Sequence, residues 1–198
     1  PQGAFLSFAF SPDGALVAAG DHSSLRLFRR QSGREVGPRR DLEGYVCSVD
    51  FSPDGERVLF SSARTDSVES SYFPTGALPE LYEVAVTGGA PRMLFTNPAG
   101  EARWCPDGRQ IVYREEKAYE NEWRQRDVNA FARDIWIYDT ASGRHRRVTE
   151  NPGGDHAPVW DGDDSTLLML SEIDGDSFNL RRLDLASGDS TPLTGHRV

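Results

Sequence analysis

Phe51-Ser52-Pro53-Asp54-Gly55, preceded by Val46-Cys47-Ser48-Val49-Asp50 and followed by Arg57-Val58-Leu59-Phe60, reads as two short strands joined by a tight turn. Proline presets φ at one corner, aspartate offers a side-chain acceptor, and glycine takes a positive φ without steric cost, so this stretch folds the chain back on itself. It recurs as Phe10-Ser11-Pro12-Asp13-Gly14 and Trp104-Cys105-Pro106-Asp107-Gly108, and in decayed form as Trp160-Asp161-Gly162-Asp163-Asp164. Apolar runs flank each copy.

A second landmark keeps the register. Each hairpin is followed by a strand-like segment that ends in a small-residue turn: Leu25-Arg26-Leu27-Phe28 with Ser32-Gly33, Leu81-Tyr82-Glu83-Val84 with Gly88-Gly89, Ile135-Trp136-Ile137-Tyr138 with Ser142-Gly143, and Leu180-Arg181-Arg182-Leu183 with Ser187-Gly188. Five residues beyond the last glycine stand Leu94, Val148 and Leu193, which mark a fourth strand; the first copy, with Pro38 there, departs. The repeat of about 40 to 56 residues is that of propeller blades. The expected fold is all-β: a single β-propeller array over residues 1–198, with four consecutive four-stranded antiparallel blades at approximately 1–44, 45–100, 101–155 and 156–198, forming a partial or small propeller. A β-sandwich uses equally short strands but gives no reason for Pro-Asp-Gly at matched positions, and the pattern excludes a helix bundle.

One four-stranded sheet cannot cover both of its faces, so blades must stack on neighbours. The end blades are then expected to expose apolar faces and to favour self-association. Three outcomes stay open: a fragment of a six- or seven-bladed ring, a pair of copies, or a tight four-bladed disc.

The 37% hydrophobic and 27% charged content fits a soluble globular chain, and no run approaches the roughly 18 apolar residues of a membrane span. The formal charge of −9 repels phosphate backbones, and the basic pairs Arg29-Arg30, Arg39-Arg40 and Arg146-Arg147 are short and scattered, so neither nucleic acid nor membrane is an expected partner. The chain opens inside a strand-like pattern, Phe5 to Phe10, without a signal peptide, so a cytoplasmic or periplasmic location cannot be read from its N-terminus. Cys47 and Cys105 have neither metal-site spacing nor disulfide density and read as buried small hydrophobes.

Blades one and four connect their second and third strands briefly, whereas blades two and three carry insertions of about Ser62 to Pro79 and Glu115 to Arg133. In an up-and-down blade these second turns share one face, so the two insertions are expected to emerge side by side. Long loops in compact domains more often serve function. The candidate partner-binding residues are Arg64, Tyr72 and Phe73 in the first insertion and Tyr119, Glu120, Glu122, Trp123, Arg124 and Arg126 in the second, a mixture of aromatics and both charge signs. The competing reading folds Tyr119 and Trp123 back onto the disc and pairs Arg124 and Arg126 with Glu120 or Glu122.

No Gly-x-Ser-x-Gly elbow, His-Glu-x-x-His helix or phosphate-cradling glycine loop occurs. His22, His145, His156 and His196 fall in or near predicted turns or outer strands and read as solvated imidazoles. The acidic run Asp161-Gly162-Asp163-Asp164 reads as a worn hairpin turn and lacks the terminal bidentate carboxylate of a calcium loop. The expectation is a chain without catalysis of its own, without cofactor or metal, and with a peptide or protein partner. A sugar- or peptide-processing propeller enzyme would need convergent acid and base residues in a central channel.

Several stretches carry a narrower likeness: Tyr72-Phe73-Pro74-Thr75-Gly76-Ala77-Leu78-Pro79-Glu80-Leu81-Tyr82, Tyr119-Glu120-Asn121-Glu122-Trp123-Arg124, Arg133-Asp134-Ile135-Trp136, and Asn151-Pro152 to Trp160. Over about 130 residues the chain resembles the propellers of tricorn-like serine peptidases, and more loosely those of TolB and WD-repeat proteins. Asp21-His22-Ser23-Ser24-Leu25-Arg26-Leu27-Phe28 in blade one is closer to a generic WD-type repeat. The tricorn resemblance implies a propeller that filters or channels peptides toward a separate catalytic domain; no catalytic residue carries over. The TolB and WD resemblance implies a stand-alone protein-interaction scaffold.

Overall fold

The computed structural model describes residues 5–42, 44–63, 78–116, 132–150, 152–173 and 177–195. Their strands form four four-stranded antiparallel sheets, each taking its strands in chain order. The first holds β1 (Ser7–Phe10), β2 (Leu16–Gly20), β3 (Ser24–Arg29) and β4 (Glu35–Asp41). The second holds β5 (Val46–Phe51), β6 (Arg57–Ser62), β7 (Glu80–Ala85) and β8 (Arg92–Phe95). The third holds β9 (Ala99–Trp104), β10 (Gln110–Glu115), β11 (Ile135–Asp139) and β12 (His145–Arg147), and the fourth β13 (Asp155–Trp160), β14 (Thr166–Ser171), β15 (Asn179–Asp184) and β16 (Ser190–Pro192). The four up-and-down sheets expected from the repeat are present. Among the described residues no helix is long and apolar enough to cross a membrane.

The repeated turn closes by side chain as well as backbone. Ser52 Oγ donates to Asp54 Oδ1 (2.6 Å) and accepts from Arg57 N (2.9 Å), while Asp54 Oδ1 also accepts from Glu56 N (2.9 Å). Gly55 takes φ 72°. Ser11 and Asp13 repeat the arrangement, and in the third copy the Cys105 thiol donates to Asp107 Oδ1 in place of the serine hydroxyl. The decayed fourth copy keeps the closing bond from Asp161 N to Thr166 O (2.9 Å), but its positive φ falls at Gly162, where the other copies have proline.

The chain divides into two compact units, residues 1–104 and 105–198. In the first, Ala18, Leu25 and Leu27 of the first sheet pack against Val46, Val49, Phe51, Val58, Phe60, Tyr82 and Val84 of the second. In the second unit, Val112, Ile135 and Ile137 pack against Leu167, Met169 and Leu183. The alternation that points these side chains to one face is the strand period of two.

Polar bonds pin the stacked sheets. Val49 N donates to Ser7 Oγ (3.0 Å), and Trp104 N to Asp50 Oδ2 (2.8 Å). Desolvation pushes the Asp50 carboxyl above its ordinary range, against the pull of the Trp104 amide. A backbone latch also recurs: the first residue of an arriving sheet donates to the loop ahead of the preceding sheet's third strand. Val46 N reaches Asp21 O (2.9 Å) and Ala99 N reaches Pro79 O (2.8 Å) in the first unit, and Asp155 N reaches Arg133 O (2.8 Å) in the second.

One departure is explained and two expectations need correction. The first sheet does have a fourth strand through Pro38, because a register shift between Leu25↔Arg40 and Leu27↔Val36 sets the intervening residues outside regular pairing, where proline's missing N–H does no harm. Cys105 is buried as expected, but Cys47 is only half-buried. His145 and His156 are not solvated imidazoles. His145 is half-buried, with Nδ1 2.9 Å from Tyr113 Oη, and burial pushes it below its ordinary range. His156 lies on the inner strand β13 and packs edge-on against Phe178. His22 is exposed, and His196 lies outside the described residues.

Two outcomes are expected. A Cβ built on Gly20 would lie 2.6 Å from Val46 Cβ and closer still to Cγ1. Gly20→Ala should therefore cost about 2–3 kcal/mol by overpacking, and adding Val46→Ala should recover part of it, so urea denaturation of the two singles and the double will show strong non-additivity. A depressed histidine favours the neutral form in the folded state, so the contribution of His145 is complete above the unfolded value near 6.5 and is lost as pH falls below it. Relative to His145→Gln, the native chain should lose stability between pH 7.5 and pH 5 in paired denaturation curves.

Candidate functional site

The sequence-derived candidates Arg64, Tyr72, Phe73, Tyr119, Glu120, Glu122, Trp123, Arg124 and Arg126 all lie outside the described residues. The described chain does show how each insertion is anchored.

In the first unit the stems leave β6 at Ser62 and return through Pro79. Ser62 and Ala63 are buried, Ser48 Oγ and Ser61 Oγ lie 2.7 Å apart, and Pro79 O is the acceptor of the Ala99 latch. Behind the returning stem, Tyr82 stacks on Phe60 with ring centroids 5.5 Å apart, and its hydroxyl donates to Glu80 Oε2 (2.6 Å). By contrast, the short second loop of the first sheet is closed by one carboxylate. Desolvation raises Asp21, but donation from Ser23 N (2.8 Å), Ser24 Oγ (2.8 Å) and Ser24 N (2.7 Å) outweighs it, so the group stays below its ordinary range.

In the second unit the stems are held by charge. Glu116, buried at the outgoing stem, accepts from Arg114 through Oε1 (2.9 Å from Nε and 2.6 Å from Nη2) and from Arg133 Nε on the returning stem through Oε2 (2.8 Å). One carboxylate thus ties together both ends of the 117–131 segment. Arg114 Nη1 also hydrogen-bonds His156 Nδ1. A guanidinium only donates, so Nδ1 accepts and the imidazole proton sits on Nε2. Glu172 Oε2 accepts from Gly154 N (3.1 Å) in the adjoining loop. Arg114, Glu116 and Glu172 were not singled out from sequence, Arg133 was noted only within a family-like stretch and His156 was read as solvated, although Arg114-Glu115-Glu116 and Arg133-Asp134 bracket the insertion with opposite charges.

A second cluster sits at the Pro-Asp-Gly end of the same unit. The Cys105 thiol donates to Asp164 Oδ1 (2.8 Å) and Asp107 Oδ1 (3.1 Å), and burial followed by the Asp164 bond pushes the thiol far above its ordinary range. Their ligand atoms lie within 4.8 Å of one another. A thiol held protonated by two carboxylates is a poor metal ligand and a poor nucleophile, and the geometry repeats the Ser-Asp turn clamp.

Comparison with known proteins bears on the fold. The WD domain, G-beta repeat family matches residues 37–68. The crystal structure of TolB from Acinetobacter baumannii superimposes on 99% of the chain with a TM-score of 0.74 at 19% identity, this chain covering 45% of that one. The fold is that of a β-propeller. Among curated proteins this propeller is 27% identical to the uncharacterized protein Atu1656 of Agrobacterium fabrum over 92% of its own length and 59% of that protein. It is also 27% identical to the uncharacterized peptidase YuxL of Bacillus subtilis over 48% of its own length and 13% of that protein. The propeller thus spans about three fifths of the first relative and about an eighth of the second.

Removing the shared anchor should loosen the second unit. Glu116→Gln leaves two half-buried guanidinium groups without their carboxylate and is expected to lower stability by about 2 kcal/mol in urea denaturation, discounted from the fully buried case for partial solvent access.

Proposed function

We propose that this chain is a non-catalytic propeller module that binds or gates peptides or proteins through its two insertions, as part of a tricorn-like peptidase. The observation that carries the reading is the anchoring of those insertions. A buried carboxylate bridges both stems of the second insertion, and a latched proline fixes the return of the first. Binding loops on rigid scaffolds are built this way. The residues proposed to meet the partner are those mixing aromatics with both charge signs, Tyr119, Glu122, Trp123 and Arg124 above all. The partial likeness to a peptidase supports the peptidase association.

A stand-alone interaction scaffold is the second reading. It is favoured by the match of residues 37–68 to the WD repeat and by the Asp21-centred loop of the first sheet.

Replacing Tyr119, Trp123 and Arg124 together by alanine should weaken peptide binding at least tenfold in fluorescence anisotropy against a mixed-sequence peptide panel, with the melting temperature unchanged. Equal binding by the native and triple-variant chains would overturn the assignment to the insertions. Capture of one folded protein with no peptide binding would favour the scaffold reading. Hydrolysis of the panel by the purified chain would remove the non-catalytic assignment.

A further inference from the structure

Between the first two sheets, at their Pro-Asp-Gly end, the apolar packing stops short and leaves a cleft of about 400 Å³, a size that small-ligand sites have. Its apolar lining is Leu16, Leu27 and Val36 of the first sheet, with Val86 just beyond the end of β7 on the other side. The repeat shows that the fold does not require this lining. Leu16 stands opposite Arg29 and Leu27 opposite Val36, as Arg57 stands opposite Ala85 and Glu83 opposite Arg92 one repeat later. In the second sheet those three places hold charges that close on one another: Glu83 accepts from Arg92 Nη2 (2.6 Å) and lies 3.5 Å from Arg57, whose guanidinium covers Trp104. In the first sheet they hold aliphatic side chains, and Leu16 and Val36 are only half-buried.

Charge stands at the rim of this apolar cleft. Arg29, at the end of β3, is exposed, lines the cleft, and its guanidinium makes no hydrogen bond or ion pair among the described residues. Its counterparts in the third and fourth sheets, Asp139 and Asp184, accept from amides of the turn that follows, which a guanidinium cannot do. Arg40 brings a second cation to the opposite wall: it is 8% exposed, Nη2 donates to Ala85 O (2.8 Å) in the peptide bond to Val86, Nε has no acceptor, and no carboxylate pairs with it among the described residues. Asp13 supplies the one anion of the lining. Its Oδ1 accepts from Ser11 Oγ (2.6 Å) and Ala15 N (2.9 Å), bonds that hold the carboxyl below its ordinary range and leave Oδ2 without a partner among the described residues. Nothing lies within 4 Å of a Cβ built on Gly37, so the cleft has an open side through which a chain can leave.

We infer that this cleft binds the C-terminal residue of a peptide that ends in an aliphatic side chain, with that side chain on Leu16, Val36 and Val86, the terminal carboxylate on Arg29, and the last amide N–H on Asp13. Each part of the lining answers one group of that residue. A guanidinium fork matches a carboxylate with two parallel bonds, and the uncompensated charge of Arg40 in a low-dielectric wall adds to the attraction. Val86 and Thr87 lie at the end of β7 opposite Glu80, whereas the stems of the first insertion meet the sheet at Ser62 and Pro79, so this site goes beyond the binding proposed for the insertions.

The test is fluorescence anisotropy with a short fluorescein-labelled alanine peptide ending in leucine, used as the free acid and as the C-terminal amide. The native chain should bind the acid roughly tenfold more tightly than the amide. Arg29→Ala should remove that preference by weakening the acid alone, and Val36→Ser should weaken both forms roughly fivefold through lost apolar contact. Arg29 is exposed and holds no bond in the fold, so its variant is expected to fold; Arg29→Gln repeats the comparison with the side-chain length kept. The variant with Tyr119, Trp123 and Arg124 replaced by alanine should bind both peptides as the native chain does. Loss of binding in that variant with Arg29→Ala silent overturns the cleft while leaving the insertion reading intact. Equal affinity for acid and amide overturns it too, as does the absence of binding up to about 1 mM peptide. Competition by free leucine as strong as by the unlabelled peptide overturns the choice of a chain end over an amino acid.

Discussion

A four-stranded sheet with side chains alternating on both faces has two surfaces to remove from water and no means of doing so alone. The rest of this structure follows from that constraint. Ala18, Leu25 and Leu27 are small or aliphatic because Val49, Phe51, Val58 and Phe60 arrive beneath them, and burial of each large aliphatic or aromatic side chain contributes about 1.5–3 kcal/mol. Gly20 has no side chain because Val46 stands where its Cβ would be. The polar bonds from Ser7 and Asp50 to the next sheet's backbone fix the angle and register at which the faces meet, a role that apolar contact, being non-directional, leaves open.

What could be read from the sequence was local. The Ser-Pro-Asp-Gly turns announce themselves because every partner of Ser52 and Asp54 lies within five residues. The third strands were legible for the same reason, each ending in a glycine turn at a fixed offset. The bulge that lets Pro38 sit in β4 depends on how Leu25 and Leu27 find partners across the sheet, and no local signal records it. The displaced left-handed glycine at Gly162 was hidden because the decayed turn looked like the others with substitutions.

Long-range pairing hid the stem network as well. Arg114 meets His156 across 42 residues and Arg133 meets Glu116 across 17, so composition could suggest only that charge accumulates around the insertion. His156 was misread as a surface imidazole because its neighbours Arg114 and Phe178 come from other strands and loops. The result separates two kinds of residue around the second insertion. Glu116, Arg114 and Arg133 hold the frame, and the residues proposed to meet a partner belong to the segment they frame.

The latches all run the same way. Val46, Ala99 and Asp155 donate, and the acceptors Asp21, Pro79 and Arg133 belong to segments made earlier in the chain. As the polypeptide leaves the ribosome, each new sheet therefore finds its docking group already synthesised. Assembly can proceed vectorially, one repeat at a time, without holding a half-built sheet exposed until the C-terminus appears.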